Sequence, residues 1–144
     1  MFKNCPKLQE IKWIQSSCHL PAQFLNEENK IVKRLSFNGE NCQNGTTIHK
    51  KAFSEEQYLS LTNLTLTNTQ LNYNEMITNL KLENFVNLKM LQLSDKNLNN
   101  VFIESENLSE FVESFKFFQG AVVEILQNTY PQSLKFEKKL NLLQ

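Results

Sequence analysis

The sequence predicts an α/β fold in which short parallel strands stack on one side of a core and short helices or loops return the chain on the other. Three observations predict it. Leu61, Leu64, Leu66 and Leu71 follow one another at steps of three, two and five, and Leu88, Leu91, Leu93 and Leu98 repeat those steps at an offset of 88 − 61 = 27. Leu64 and Leu66 flank Thr65, the period-two pattern of a strand with one buried face. The same spacing can be traced before and after this pair, so each coil offers an apolar edge that only its neighbour can cover.

Taken in order, the first segment reads Leu8, Ile11, Trp13 and Cys18, and the second reads Val32, Leu35, Phe37 and Cys42, at an offset of 32 − 8 = 24. Pro6 suits the connector into the first strand because it cannot donate into a ladder. HLPAQFLNEENK then returns the chain as one irregular or helical turn after Pro21. NGENCQNGTTIHKKAF holds Gly39 and Gly45 and reads as a turn or loop insertion, which lengthens the second coil to 61 − 32 = 29. Ser54-Glu-Glu-Gln57 is a capping box ahead of Tyr58 and Leu59, which predicts a short helix before the third strand. Asn74 is placed to cap another helix holding Met76, Ile77 and Leu80. After Leu98, the spacing of Phe102, Leu108 and Phe111 predicts a helix on the outside of the stack. Val112, Phe115, Phe117 and Val122 fit the template as a fifth strand at 112 − 88 = 24, in competition with one amphipathic helix from Leu108 to Leu126. Leu134 and Phe136 form a partial last copy.

These intervals and residues resemble the leucine-rich-repeat family. NCPKLQEIKW resembles its cysteine-containing subclass, common in F-box adaptor proteins, where a Cys-Pro-x-Leu phrase leads into the strand. The resemblance implies a solenoid of about five to six repeats, with a parallel concave sheet and short convex helices and loops, in a single domain over residues 1–144. Where the family usually places an Asn that bonds the backbone of the turn, this chain has Thr69 and Lys96, and a lysine cannot accept such a bond. No F-box segment is visible. The first repeat has no evident polar cap, which terminal repeats need, so a longer protein or a larger assembly is expected.

Composition bounds the function. Of 144 residues, 40% are apolar, enough for an ordinary core. Fifteen basic and fifteen acidic residues cancel, so the charge total recommends neither nucleic acid nor a membrane surface. The abundant Asn and Gln are scattered among regularly spaced Leu and Phe, not gathered into polar tracts. No run approaches the roughly 18 apolar residues of a membrane span, and MFKNCPKLQEIKW has no apolar stretch of signal-peptide length. A cytosolic location, or a cytoskeletal or organellar assembly, is expected in place of secretion, and the sequons at Asn44, Asn63 and Asn107 are discounted accordingly. Cys5, Cys18 and Cys42 are odd in number and lack a Cys-x-x-Cys pair, which fits reduced thiols better than a disulfide framework. Cys18 and Cys42 nevertheless share one template column. With His19 and His49 these cysteines form no short pair of ligand spacing, so no metal or other cofactor is expected.

In the family, the residues between the inward ones line the concave face and bind partners. Its columns here read Glu10, Arg34, Asn63, Met90 and Ser114; then Lys12, Ser36, Thr65, Gln92, Lys116 and Lys135; then Ile14, Asn38, Thr67, Ser94 and Phe118. The candidate partner-binding residues are Lys12, Ile14, Arg34, Ser36, Asn63, Thr65, Thr67, Met90, Gln92, Ser94, Lys116 and Phe118, with Ile14, Met90 and Phe118 as apolar anchors. A register shifted by one residue would turn these side chains inward instead. Trp13, Phe37, Phe115 and Phe117 are expected in the core.

No nucleophile or acid motif accompanies His19 or His49, and there is no Gly-rich phosphate loop or Gly-x-Ser-x-Gly elbow. The expected function is therefore non-catalytic, a protein-interaction module or scaffold subunit. Two alternatives belong to other classes. An oligonucleotide-binding barrel would pair 31–37 antiparallel with 46–53 and bind single strands. A small α/β enzyme would hold a pocket with groups titrating near neutral pH.

Overall fold

The chain enters each successive strand in the same way. The N–H groups of Lys33 and Arg34 both donate to the carbonyl of Gln9, those of Thr62 and Asn63 to Lys33, and those of Lys89 and Met90 to Thr62, all at 2.8 to 3.1 Å. The steps, 33 − 9 = 24, 62 − 33 = 29 and 89 − 62 = 27, are the intervals of the apolar template. The computed structural model describes residues 2–14, 18–39, 42, 46–67, 69, 71, 74–94, 99–104, 123–124 and 135–138.

In chain order the elements are β1 (Glu10–Ile14), β2 (His19–Leu20), β3 (Arg34–Asn38), β4 (Thr47–Ile48), α1 (Glu55–Ser60), β5 (Asn63–Thr67), a π-helical turn (Asn74–Asn79), a 3-10 turn (Leu82–Asn84), β6 (Met90–Ser94), β7 (Asn99–Glu104) and β8 (Lys135–Lys138). The result is a mixed α/β structure with a mostly parallel sheet and few helices. The main sheet has the order β1-β3-β5-β6-β7-β8. Its first four strands are parallel, and β7 and β8 are each antiparallel to the strand before.

Alternation decides what this sheet buries. Ile11, Leu35, Leu64 and Leu91 lie opposite one another and are all buried, as are Phe37, Leu66 and Leu93 two residues on, with Trp13 half-buried beside them. Val32, Leu61 and Leu88, just ahead of the strands, form a third buried row. Leu91 and Leu93 then face Ile103 and Val101 of β7, which extend the same apolar surface.

Against it packs a second layer made by the returning chain. β2 and β4 pair in parallel through His19–Thr47 and Leu20–Ile48. The rings of Phe2, Phe24, Phe53 and Phe85 meet edge to face in sequence, with centroids 5.5, 6.3 and 5.6 Å apart, and so run a column of aromatic contacts along the stack. α1 begins at the expected capping box, where Gln57 Oε1 accepts the N–H of Ser54 at 2.9 Å. Met76 is buried as expected, but its turn is π-helical, not α-helical.

Four expectations are corrected. Asn99–Glu104 is a strand and not a helix on the outside of the stack, because β-branched Val101 and Ile103 alternate with Phe102 and bury one face. That strand occupies the edge of β6 that the template reserves for a fifth parallel strand, so the parallel ladder stops at four. Residues 112–117 themselves lie outside the described residues. Phe136, the partial last copy, sits in a strand that runs antiparallel to β7. Finally, Cys18 and Cys42 form a disulfide, with Cα atoms 5.3 Å apart, and only Cys5 is free. Neighbouring strands of a sheet lie roughly 4.8 Å apart, so two cysteines in one column of consecutive coils fall within bridging range.

The barrel alternative lacks its defining pairing. β3 is flanked by β1 and β5, both parallel to it, which leaves it no edge for 46–53.

Candidate functional site

The sheet has one face against the core, and the alternate side chains of the same strands form the other. Its central row runs Lys12, Ser36, Thr65, Gln92 and Phe102 across five strands. Lys12 is exposed, the other four are half-buried, and the backbone of Lys135 lies opposite Phe102 at the far edge. A parallel row runs Glu10, Arg34, Asn63 and Met90, with the backbone of Glu104 in register beside Met90. A third row joins Asn38 and Thr67, with the backbone of Ile14 in register beside Asn38.

Local bonds fix several of these groups. Arg34 Nε lies 3.6 Å from Glu10 Oε2 across the β1–β3 boundary, and since both side chains are largely exposed, water screens the pair. Asn63 Oδ1 accepts the hydroxyl of Thr62 at 2.7 Å, while its Nδ2 donates to the Met90 sulfur at 3.5 Å. The thioether and the amide are thereby held side by side in the middle of the face. Thr67 Oγ1 donates to the carbonyl of Phe37 at 3.4 Å.

Lys12, Arg34, Ser36, Asn63, Thr65, Thr67, Met90 and Gln92 thus share one surface, while the side chain of Ile14 lies outside the described ones. Ser94 is buried and does not belong to the exposed face: β5–β6 pairing ends at Leu66–Leu93, and the N–H of buried Thr69 donates to the Ser94 carbonyl at 3.3 Å. Lys116 and Phe118 lie outside the described residues. Phe102, which sequence reasoning assigned to a helix, supplies a half-buried ring opposite Gln92. The Val101-Phe102-Ile103 alternation was the signal for it.

No family model, curated protein or solved structure matches the chain. The chemistry of this face has to be read from its side chains. Its hydroxyls, amides and charged groups can donate and accept hydrogen bonds, and Met90 and Phe102 can cover apolar surface.

Elsewhere, His19 and His49 bring their rings to 6.5 Å beside the β2–β4 pair. His19 Nδ1 bonds Thr47 Oγ1 at 2.8 Å and His49 Nδ1 accepts the N–H of Lys51 at 3.0 Å. Among the described residues no group of three His, Cys, Asp or Glu is arranged to hold a metal ion. Within α1, burial pushes the Tyr58 phenol up to about 12, and the nearby Glu83 carboxylate adds to the effect. No helix among the described residues is long and apolar enough to cross a membrane.

Proposed function

We propose that the chain is a solenoid of the leucine-rich-repeat kind, and that it binds another protein through the outer face of its sheet as a non-catalytic interaction module or scaffold subunit. The observation that carries this reading is the paired ladder. Ile11, Leu35, Leu64 and Leu91 stack inward while Lys12, Ser36, Thr65 and Gln92, one residue on, stack outward in the same register. Four coils that repeat one bonding scheme support the repeat architecture, and they present a surface already ordered before a partner arrives, so little conformational entropy is lost on docking. Met90 and Phe102 are the apolar anchors of that surface, with hydroxyls and amides around them. No cofactor is needed for such a role.

The test compares wild-type chain with the double variant Thr65→Asp, Gln92→Asp. Both are used to capture partners from native extract, and the proteins retained are identified by mass spectrometry. The partner specific to wild type should protect amides of 63–67 and 90–94 from hydrogen exchange. Equal capture by the variant, or protection confined to other segments, rejects the reading.

A further inference from the structure

The coils also share a rim, where the chain turns into each strand. Three rows of residues cross it: Pro6, Lys30, Leu59 and Val86; Lys7, Ile31, Ser60 and Asn87; and Gln9, Lys33, Thr62 and Lys89. The hydrogen bonds that knit the coils confirm the alignment. Ser60 Oγ donates to the Val32 carbonyl at 2.6 Å, Asn87 Nδ2 donates to the Leu59 carbonyl at 2.7 Å, and Thr62 and Lys89 N–H donate to Lys33 and Thr62 at 2.9 Å.

Two properties of this grid stand out against the rest of the molecule. Leu59, Val86 and Ile31, at 60%, 54% and 37% exposure, are the exposed large apolar residues among those described, and all three lie on it in successive coils. Of its twelve positions four are lysines, all exposed, and none is acidic, although the whole chain balances fifteen basic against fifteen acidic residues. Carboxylates flank it: Glu10 pairs with Arg34 on the sheet, Glu55 and Glu56 begin α1 behind Leu59, and Glu27, Glu28 and Glu56 share a surface depression with Pro6 and Lys30 at the end of the rim nearest β1.

We infer that this rim is a docking surface for an anionic lipid bilayer. Exposed lysines spread along the rim, away from the carboxylates at its first end, complement a layer of acidic headgroups. Exposed aliphatics flanked by lysine suit shallow insertion at the headgroup level. The inference is independent of the partner-binding sheet face.

Co-sedimentation with vesicles of phosphatidylcholine, with and without about one-third phosphatidylserine, tests it. Wild-type chain should pellet with the anionic vesicles only, and raised salt should release it. The double variant Lys33→Ala, Lys89→Ala should lower the partition constant roughly twenty-five-fold, from about five-fold per lysine near an acidic surface. Leu59→Ser with Val86→Ser should weaken binding while leaving its salt dependence. All four positions are exposed, so the variants should melt as wild type does. The sheet-face variant Thr65→Asp should bind vesicles normally, which separates failure here from failure of the protein-binding reading. Equal pelleting with both vesicle types, no pelleting, or rim variants that bind like wild type would overturn the inference, as would an acidic amphipathic peptide that binds the rim of a chain no vesicle retains.

Discussion

Gln57 donates from Nε2 to the backbone carbonyl of Asn29 at 2.8 Å, and Asn29 in turn donates from Nδ2 to the carbonyls of Phe2 and Cys5 at 3.0 and 3.1 Å. Both amide side chains are fully buried. The second coil is thus tied to the first, and the third to the second, by a buried side-chain amide ahead of the strand, and Gln57 bonds the carbonyl of Asn26 as well. Replacing Gln57 or Asn29 by Ala removes two hydrogen bonds to backbone carbonyls of the preceding coil in each case, and each should cost about 1 to 3 kcal/mol. Urea denaturation reads this as a lower midpoint with an unchanged slope.

The two faces of the sheet should respond oppositely to one kind of substitution. Leu64→Asp or Leu91→Asp puts an unpaired charge at a position with no exposed surface and should abolish cooperative unfolding. Thr65→Asp and Gln92→Asp, adjacent in sequence but half-buried on the outer face, should shift stability by about 1 kcal/mol or less. Circular dichroism melts of the four variants distinguish these outcomes.

The Cys18–Cys42 bridge predicts one reactive thiol in denatured chain isolated without reductant, and three after reduction. Its two cysteines are 24 positions apart in sequence, and loss of the bridge in a Cys18→Ala, Cys42→Ala variant should lower stability by about 3 kcal/mol. Thiol titration and thermal melts check both statements.

Tyr58 sets an alkaline limit. Its folded phenol titrates near 12, against 10.0 in the unfolded chain. The folded state therefore holds the proton more tightly. The stability this contributes is complete below pH 10 and is lost as pH rises toward 12. Because the side chain is only partly buried, the loss should be about 1 to 2 kcal/mol. Tyr58→Phe should flatten the pH dependence in that window, while giving up the hydroxyl bond to the Leu80 carbonyl.

The sequence was most informative where period and burial coincide. The steps between Leu8, Val32, Leu61 and Leu88 set the register of four strands, because any one-residue slip would expose Leu64 or Leu91. Most of the outer-face residues follow from that register. The bridge between Cys18 and Cys42 was present as a shared column, but their odd number pointed to thiols. At Asn99–Glu104 a helical spacing that reached forward to Leu108 outweighed the local Val101–Ile103 alternation. Strand direction there depends on the pairing partner and not on the pattern, since an alternating segment fits a parallel or an antiparallel neighbour equally. The buried amides of Asn29 and Gln57 had no signature, for in an Asn- and Gln-rich chain nothing marks the two that turn inward.

The reversal at β7 makes the architecture one-sided. A strand running the opposite way is already hydrogen-bonded to β6, so an additional coil cannot be appended there in register. On that side, length can change only by duplicating or deleting a whole coil upstream of β6, where the same bonding scheme recurs from β1 to β6. Engineered lengthening of this protein should therefore succeed by inserting a copy of residues 62–88 ahead of Lys89, and fail when the same copy is placed after Ser94.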